Sequence, residues 1–200
     1  GTKKANKYLT DIIYLFSQYV YFSRVFMTSC KGDGTFLAKK YAKEADLLVA
    51  IGGDGTLNEV IEGIVKSKAD VPLGYIPAGS TNDFATTLKL HKNILNAARD
   101  IMEGTPKTLD IGLFNDKCFT YVASFGAFTR IAYTTPQNFK NTFGHFAYFL
   151  EGIKDISSIK SEHMIIETDS ETFEGDYLFG AVCNSTSLGG VLTIDPEIVD

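Results

Sequence analysis

The stretch that decides the fold is VAIGGDGTLNEV, residues 49–60. An apolar run leads into Gly52, Gly53 and Gly55, and then Leu57, Val60, Ile61, Ile64 and Val65 recur at helical spacing. The pattern is strand, tight turn, helix. Glycine permits positive φ and lets a ligand approach the backbone. The spacing predicts a helix starting near Thr56, with its free N–H groups and positive dipole end aimed at the turn. That geometry suits an anion such as phosphate. Yet Asp54 stands at the centre of the turn, and a carboxylate about 4 Å from a phosphate is repelled by ~4 kcal/mol at an effective dielectric of 20. A Mg²⁺ ion between them removes the conflict, because magnesium binds one or two carboxylates together with nucleotide phosphates. Two other readings stay open: Asp54 takes a proton from a substrate hydroxyl, or Asp-Gly is simply a common turn pair.

Two familiar phosphate loops do not match. No lysine follows as in GxxxxGK[ST], and Asn58 occupies the third glycine position of GxGxxG. A second turn repeats the plan. In LGYIPAGSTNDFA (73–85) a strand runs into Pro77 and Gly79, and Ser80, Thr81, Asn82 and Asp83 open a helix. Capping alone would account for Asn82 or Asp83. However, the two turns end strands that are consecutive in sequence, and in a parallel sheet such ends share one rim, where ligands bind.

The same rhythm runs through the first half. Leu9, Ile12, Ile13, Phe16 and Val20 predict a helix, VFMT (25–28) a strand, and GTFLAKKYAKEA (34–45) a helix. LLVAI (47–51) and LGYI (73–76) read as strands, and Ile94, Leu95, Ala98, Ile101 and Met102 as another helix. Alternating strands and helices imply a parallel sheet covered on both faces. From about residue 107 the pattern changes. TLDIGLFNDKCFTYVASF predicts two strands around a turn at Asn115-Asp116, and HMIIET with ETFEGDYLFGAVCNS a hairpin around Asp169-Ser170. A helical stretch is expected near 142–156, where FGHFAYFLEGI reads as an ordinary core face, with Tyr148 and Phe149 left for lipid or subunit contact. The expected organisation is an α/β nucleotide-binding domain over residues 1–105 and a mainly antiparallel β domain over 106–200.

Composition narrows the function classes. Charged residues are 22 % of the chain and hydrophobic residues 44 %, which allows a sizeable core. A net charge of −5 argues against general nucleic-acid binding. No apolar run approaches the ~20 residues of a membrane span. The three cysteines show no metal-binding spacing and read as buried or free thiols in a reducing compartment, and a cytoplasmic location is expected.

The motifs GGDGTLNEV and PAGSTNDFA, continued by LDIG (109–112), ASFGAFT (123–129), TPQNFKNTFGHFAYFLEGIK (135–154) and NSTSLGG (184–190), resemble the diacylglycerol kinase catalytic domain. They are most similar to the soluble bacterial diacylglycerol kinases. GGDGT alone also occurs in sphingoid-base, ceramide and NAD kinases. The resemblance implies transfer of the ATP γ-phosphoryl group to a lipid hydroxyl, with diacylglycerol first among acceptors, and an active site between an α/β and a β-rich domain. It places the nucleotide loop on Gly52, Gly53, Asp54, Gly55, Thr56, Leu57 and Asn58. Further nucleotide contacts are implied at Thr28, Gly79, Ser80 and Asn82. It implies an aspartate–magnesium network at Asp54, Asp83 and Asp110, with water-mediated magnesium at Asp54. Peripheral membrane contact and a homodimer are further expectations of the family. Relatives also carry a first strand with an Asn-Pro-x-x-Gly loop, of which only Gly1-Thr2 could be the tail here, and an Asp-Gly-Glu general base and a structural magnesium site, neither of which is present in these 200 residues. The chain is therefore expected to be an incomplete catalytic unit. Other acceptors (a sphingoid base, phosphatidylglycerol or NAD) and a non-catalytic nucleotide-binding role are the alternatives.

Overall fold

Strands β1 (Leu48–Gly52) and β2 (Leu73–Pro77) pair in parallel, Leu48 opposite Leu73 and Gly52 opposite Pro77. They are the centre of a mixed α/β fold. The computed structural model describes residues 5–126 and 160–184, with the backbone of 187–188 and 192–193. Helices α1 (Leu9–Gln18), α2 (Asp33–Tyr41), α3 (Asp54–Ser67), α4 (Asp83–Thr87) and α5 (Ile94–Glu103) surround this pair in sequence.

Side-chain alternation along the two strands separates two cores. Ile76, with half-buried Val49 and Ile51, meets Ile12 and Phe16 of α1 and Ile94, Ala97 and Ala98 of α5. Ala50 and Tyr75 face the other way, onto Leu57 and Ile61 of α3 and Phe84 and Ala85 of α4. Burial of Ile12, Leu57 and Ile76, which are among the largest fully buried side chains, stabilises the fold by about 1.5–3 kcal/mol each. Helices α2 and α3 approach closely at Gly63, where a Cβ would stand 2.5 Å from the Thr35 carbonyl oxygen and 2.6 Å from Ala38 Cβ.

From Gly112 onward the described pairings are antiparallel. β3 (Gly112–Phe114) and β4 (Lys117–Phe119) form a hairpin around Asn115, whose φ is 53°. β5 (Val122–Gly126) pairs with β8 (Phe179–Cys183), and β6 (Glu162–Glu167) pairs with β7 (Thr172–Tyr177). The short strands β9 (Ser187–Leu188) and β10 (Leu192–Thr193) pair with each other. The hairpin turns fall where the sequence places them. The chain divides into two compact units, Gly1–Tyr121 with Asn184–Asp200, and Val122–Cys183. The helix expected near 142–156, with its aromatic residues, lies outside the described residues.

Three local expectations need correction. The stretch 25–28 is not a strand: its residues are exposed, and Phe26 stacks on Tyr41 with ring centroids 4.5 Å apart. Aromatic and β-branched residues favour extended backbone, but a strand forms only where a neighbour completes its ladder. Leu48 donates to the Pro72 carbonyl and Ala78 to the Gly52 carbonyl, so residues 48 and 52 turn their backbone groups to β2. By alternation Val49 and Ile51 turn theirs to the opposite edge, which has no ladder partner among the described residues. Val20 leaves the α1 stripe, because the helix ends at Gln18 and Val20 has φ 65°. Helix α3 begins at Asp54, two residues earlier than expected.

Candidate functional site

The two glycine turns meet backbone to backbone. Ala78 donates to the Gly52 carbonyl at 2.7 Å. A Cβ added at Gly53 would lie 3.1 Å from Gly79 Cα, and one at Gly79 would collide with Gly53 Cα. A Cβ at Gly52 would lie 2.6 Å from Thr56 Oγ1. Gly55 differs, with nothing within 4 Å of its would-be Cβ. None of Gly52, Gly53, Gly55 and Gly79 has positive φ. The expected use of left-handed backbone is therefore not what these glycines provide. Three of them are required by close approach, and the fourth leaves open space at the start of α3.

Asp54 joins the turns. Its Oδ2 accepts from the Asp83 N–H and its Oδ1 from the Phe84 N–H, both at 3.2 Å. The cap of α4 is thus supplied by the other turn. Asn82 precedes α4 with φ 55° and ψ 51° and gives it no side-chain cap. Instead Asn82 holds its own turn: its Oδ1 accepts from Gly79 N–H at 2.9 Å and its Nδ2 donates to the Gly79 carbonyl at 3.1 Å.

Beneath the turns lies Tyr75, which the sequence marks only as part of the strand LGYI. Its hydroxyl lies 3.3 Å from the Gly52 carbonyl oxygen and 3.4 Å from Asn82 Oδ1, acceptors on both turns. Burial raises the phenol pKa, and the carboxylates of Asp54 and Asp83 raise it further. The hydroxyl therefore stays a donor, and both carboxylates project negative potential into the same region. The available signal was a tyrosine in an apolar strand, whose hydroxyl needs a partner when buried.

The remaining predicted residues are placed less centrally. Leu57 is core, and Thr56 is half-buried. Asn58 Oδ1 accepts from Thr120 Oγ1 at 2.7 Å and from Thr120 N–H at 3.2 Å, which anchors the end of β4 to α3. Ser80 is exposed and lines a cavity of about 270 Å³ with Gly79, Thr81, Asn82, Thr86 and Lys92. Lys92 is a cation that the motifs did not reveal. Asp110 is exposed, and its carbonyl accepts from Asn184 Nδ2 at 2.7 Å. Thr28 is exposed on the unpaired segment before α2. Among the described residues no three His, Cys, Asp or Glu side chains cluster closely enough to hold a metal by themselves. Asp54 keeps a free lone pair on each carboxylate oxygen beyond the N–H it accepts, so it could share a magnesium ion with a ligand, since Mg²⁺ keeps waters and takes few protein oxygens.

The family model for the diacylglycerol kinase catalytic domain matches residues 1–114. The chain belongs to this family. It is 35 % identical over 199 residues to a diacylglycerol kinase of Bacillus subtilis, covering 98 % of this chain and 66 % of that protein. A diacylglycerol kinase of Staphylococcus epidermidis is 34 % identical over 198 residues, covering 98 % and 63 %. A crystal structure of a diacylglycerol kinase from Bacillus anthracis superimposes with a TM-score of 0.77 at 26 % identity, covering 96 % of this chain and 63 % of that one. The chain thus spans just under two thirds of these relatives' length. No helix among the described residues is long and apolar enough to cross a membrane.

Proposed function

We propose that the protein carrying this chain is an ATP-dependent lipid kinase that transfers the γ-phosphoryl group to a lipid hydroxyl, with diacylglycerol as acceptor and phosphatidic acid as product. The observation that carries the reading is the junction of the two glycine turns through Asp54, in a chain of the diacylglycerol kinase family. Residues 1–105 would bind nucleotide and residues 106–200 would contribute to the acceptor side, at the surface of the membrane that holds the lipid.

In this reading the exposed Gly55 leaves room for phosphate at the start of α3, where backbone N–H groups are oriented toward it. Gly79, Ser80 and Lys92 border the neighbouring cavity and would contact the rest of the nucleotide. Asp54 and Asp83 would hold magnesium, Asp54 through water, because each of its oxygens already accepts one N–H and keeps a lone pair free. Magnesium, when bound, neutralises charge on the transferring phosphoryl group. Catalysis is mostly positioning, with Asp110 on the acceptor side.

Asp54→Ala in the full-length protein tests the reading with labelled ATP and diacylglycerol in mixed micelles. Phosphatidic acid formation should fall at least a hundredfold. Because Asp54 also caps α4, the variant should lose about 1 kcal/mol of stability while keeping its fold. Turnover near the wild-type rate would remove the nucleotide role assigned to Asp54.

A further inference from the structure

We propose that Glu59 is a positioning residue for the nucleotide site, pinning the turn that follows Thr28 to the helix that begins with Asp54. The inference rests on the kinase reading above and gives a role to Glu59, which lies within GGDGTLNEV but is not among the nucleotide-contacting positions named for that motif. Glu59 sits on α3, five residues after Asp54, about 7.5 Å further along the axis. Its Oε1 accepts from the Gly32 N–H at 2.9 Å and its Oε2 from the Gly34 N–H at 3.0 Å. Both oxygens of one carboxylate are thus spent on the backbone that opens α2.

That backbone is itself tightly ordered. Asp33 Oδ2 accepts from the Ser29 N–H at 2.6 Å, the Cys30 N–H at 3.0 Å and Ser29 Oγ at 3.0 Å. Hydrogen bonds therefore tie Ser29, Cys30 and Asp33 together, Glu59 fixes Gly32 and Gly34 to α3, and their immediate neighbour is Thr28, for which the kinase reading implies a nucleotide contact. The segment before Ser29, 21–28, has no ladder partner among the described residues. The sequence also reserves space for this contact. A Cβ on Gly34 would stand 2.9 Å from both Glu59 Cβ and Glu59 Oε2. Through α3, Asp54 holds the second glycine turn and Glu59 holds the Ser29–Gly34 turn, so one rigid helix sets the spacing of both.

The test uses the full-length protein. Glu59→Gln keeps the side chain's size but leaves one acceptor oxygen for two amides. It should raise the KM for ATP about tenfold, leave kcat within about twofold, and leave the KM for diacylglycerol unchanged. Gly34→Ala disturbs the same contact from the other side and should give the same split; it also carries the test if Glu59→Gln does not fold. If both variants lower Tm but leave the KM for ATP unchanged, Glu59 is only a cap on α2. The proposal is then overturned while the kinase reading stands. If the wild type neither binds Mg-ATP in calorimetry nor forms phosphatidic acid, the kinase reading fails and the proposal falls with it.

Discussion

Gly79→Ala is the sharpest perturbation of the junction between the turns. The new Cβ would fall inside 3.0 Å of Gly53 Cα and lie 2.7 Å from Asn82 Oδ1, whereas unstrained carbon contacts are about 3.5–4.0 Å. Neither neighbour yields easily. Gly53 is main chain ahead of a 14-residue helix, and the Asn82 amide is bonded twice to Gly79 itself. The turns must therefore separate by about 1 Å, at a cost of ~1–3 kcal/mol for overpacking and ~1 kcal/mol for a broken Asn82 hydrogen bond. A destabilisation of about 3 kcal/mol lowers the Tm of a chain this size by about 6–12 °C. Gly55→Ala is the control on the same motif. Its Cβ meets nothing and sits in a helix, so stability should hold or rise by up to ~1 kcal/mol. Mg-ATP affinity should nevertheless fall, because the methyl group fills the space assigned to phosphate. Thermal melting by circular dichroism and calorimetric titration with Mg-ATP read the two effects separately. A Tm change under 2 °C for Gly79→Ala would refute the packing argument, and unchanged Mg-ATP affinity in Gly55→Ala would refute the cradle.

Tyr75→Phe removes only the hydroxyl under the turns and should cost about 1 kcal/mol, read as a Tm lower by about 2–4 °C. Because the folded phenol pKa is raised above its ordinary value of 10.0, the stabilisation is complete below pH 10 and is lost as pH rises through the folded value. The variant should flatten the stability slope measured above pH 10, and an unchanged slope would contradict the buried, donating phenol. At the Ser29–Gly34 turn, backbone hydrogen bonds from Ser29 and then Cys30 hold Asp33 well below the usual carboxylate range. Its contribution is present above the ordinary carboxylate pKa and is lost only as pH falls below it, toward the depressed folded value. Asp33 also raises the pKa of the exposed Cys30 thiol, chiefly through its hydrogen bond with that thiol. Asp33→Asn should therefore remove the Asp33 contribution to the acid dependence of stability and speed alkylation of Cys30 at pH 8; equal labelling rates in the two proteins would refute the link.

Most of the first half was legible because its signals are local. Alternation of apolar runs with helical stripes set the order of β1, α3, β2 and α5, and turn chemistry placed the hairpins at Asn115-Asp116 and Asp169-Ser170. The motifs singled out both glycine turns and Asp54. What local pattern does not encode is which groups meet. Residues 25–28 have the propensity of a strand but no ladder partner among the described residues. Asn82 looks like a helix cap, yet the cap comes from Asp54, 29 residues away from Asp83.

By itself the sequence determined the fold class, the family and the two turns, because periodicity, glycine and carboxylate placement and motif spacing are properties of neighbouring residues. Only the tertiary structure decided why the glycines are there and what the polar side chains hold. Gly53 and Gly79 are set by a main-chain approach between segments far apart in the chain. Tyr75 acquires its partners only once β2 pairs with β1, and Glu59 and Asn58 only once α3 packs beside α2 and β4. Hydrogen bonds and steric contacts act over about 3 Å in space, and it is folding that brings distant residues within that range.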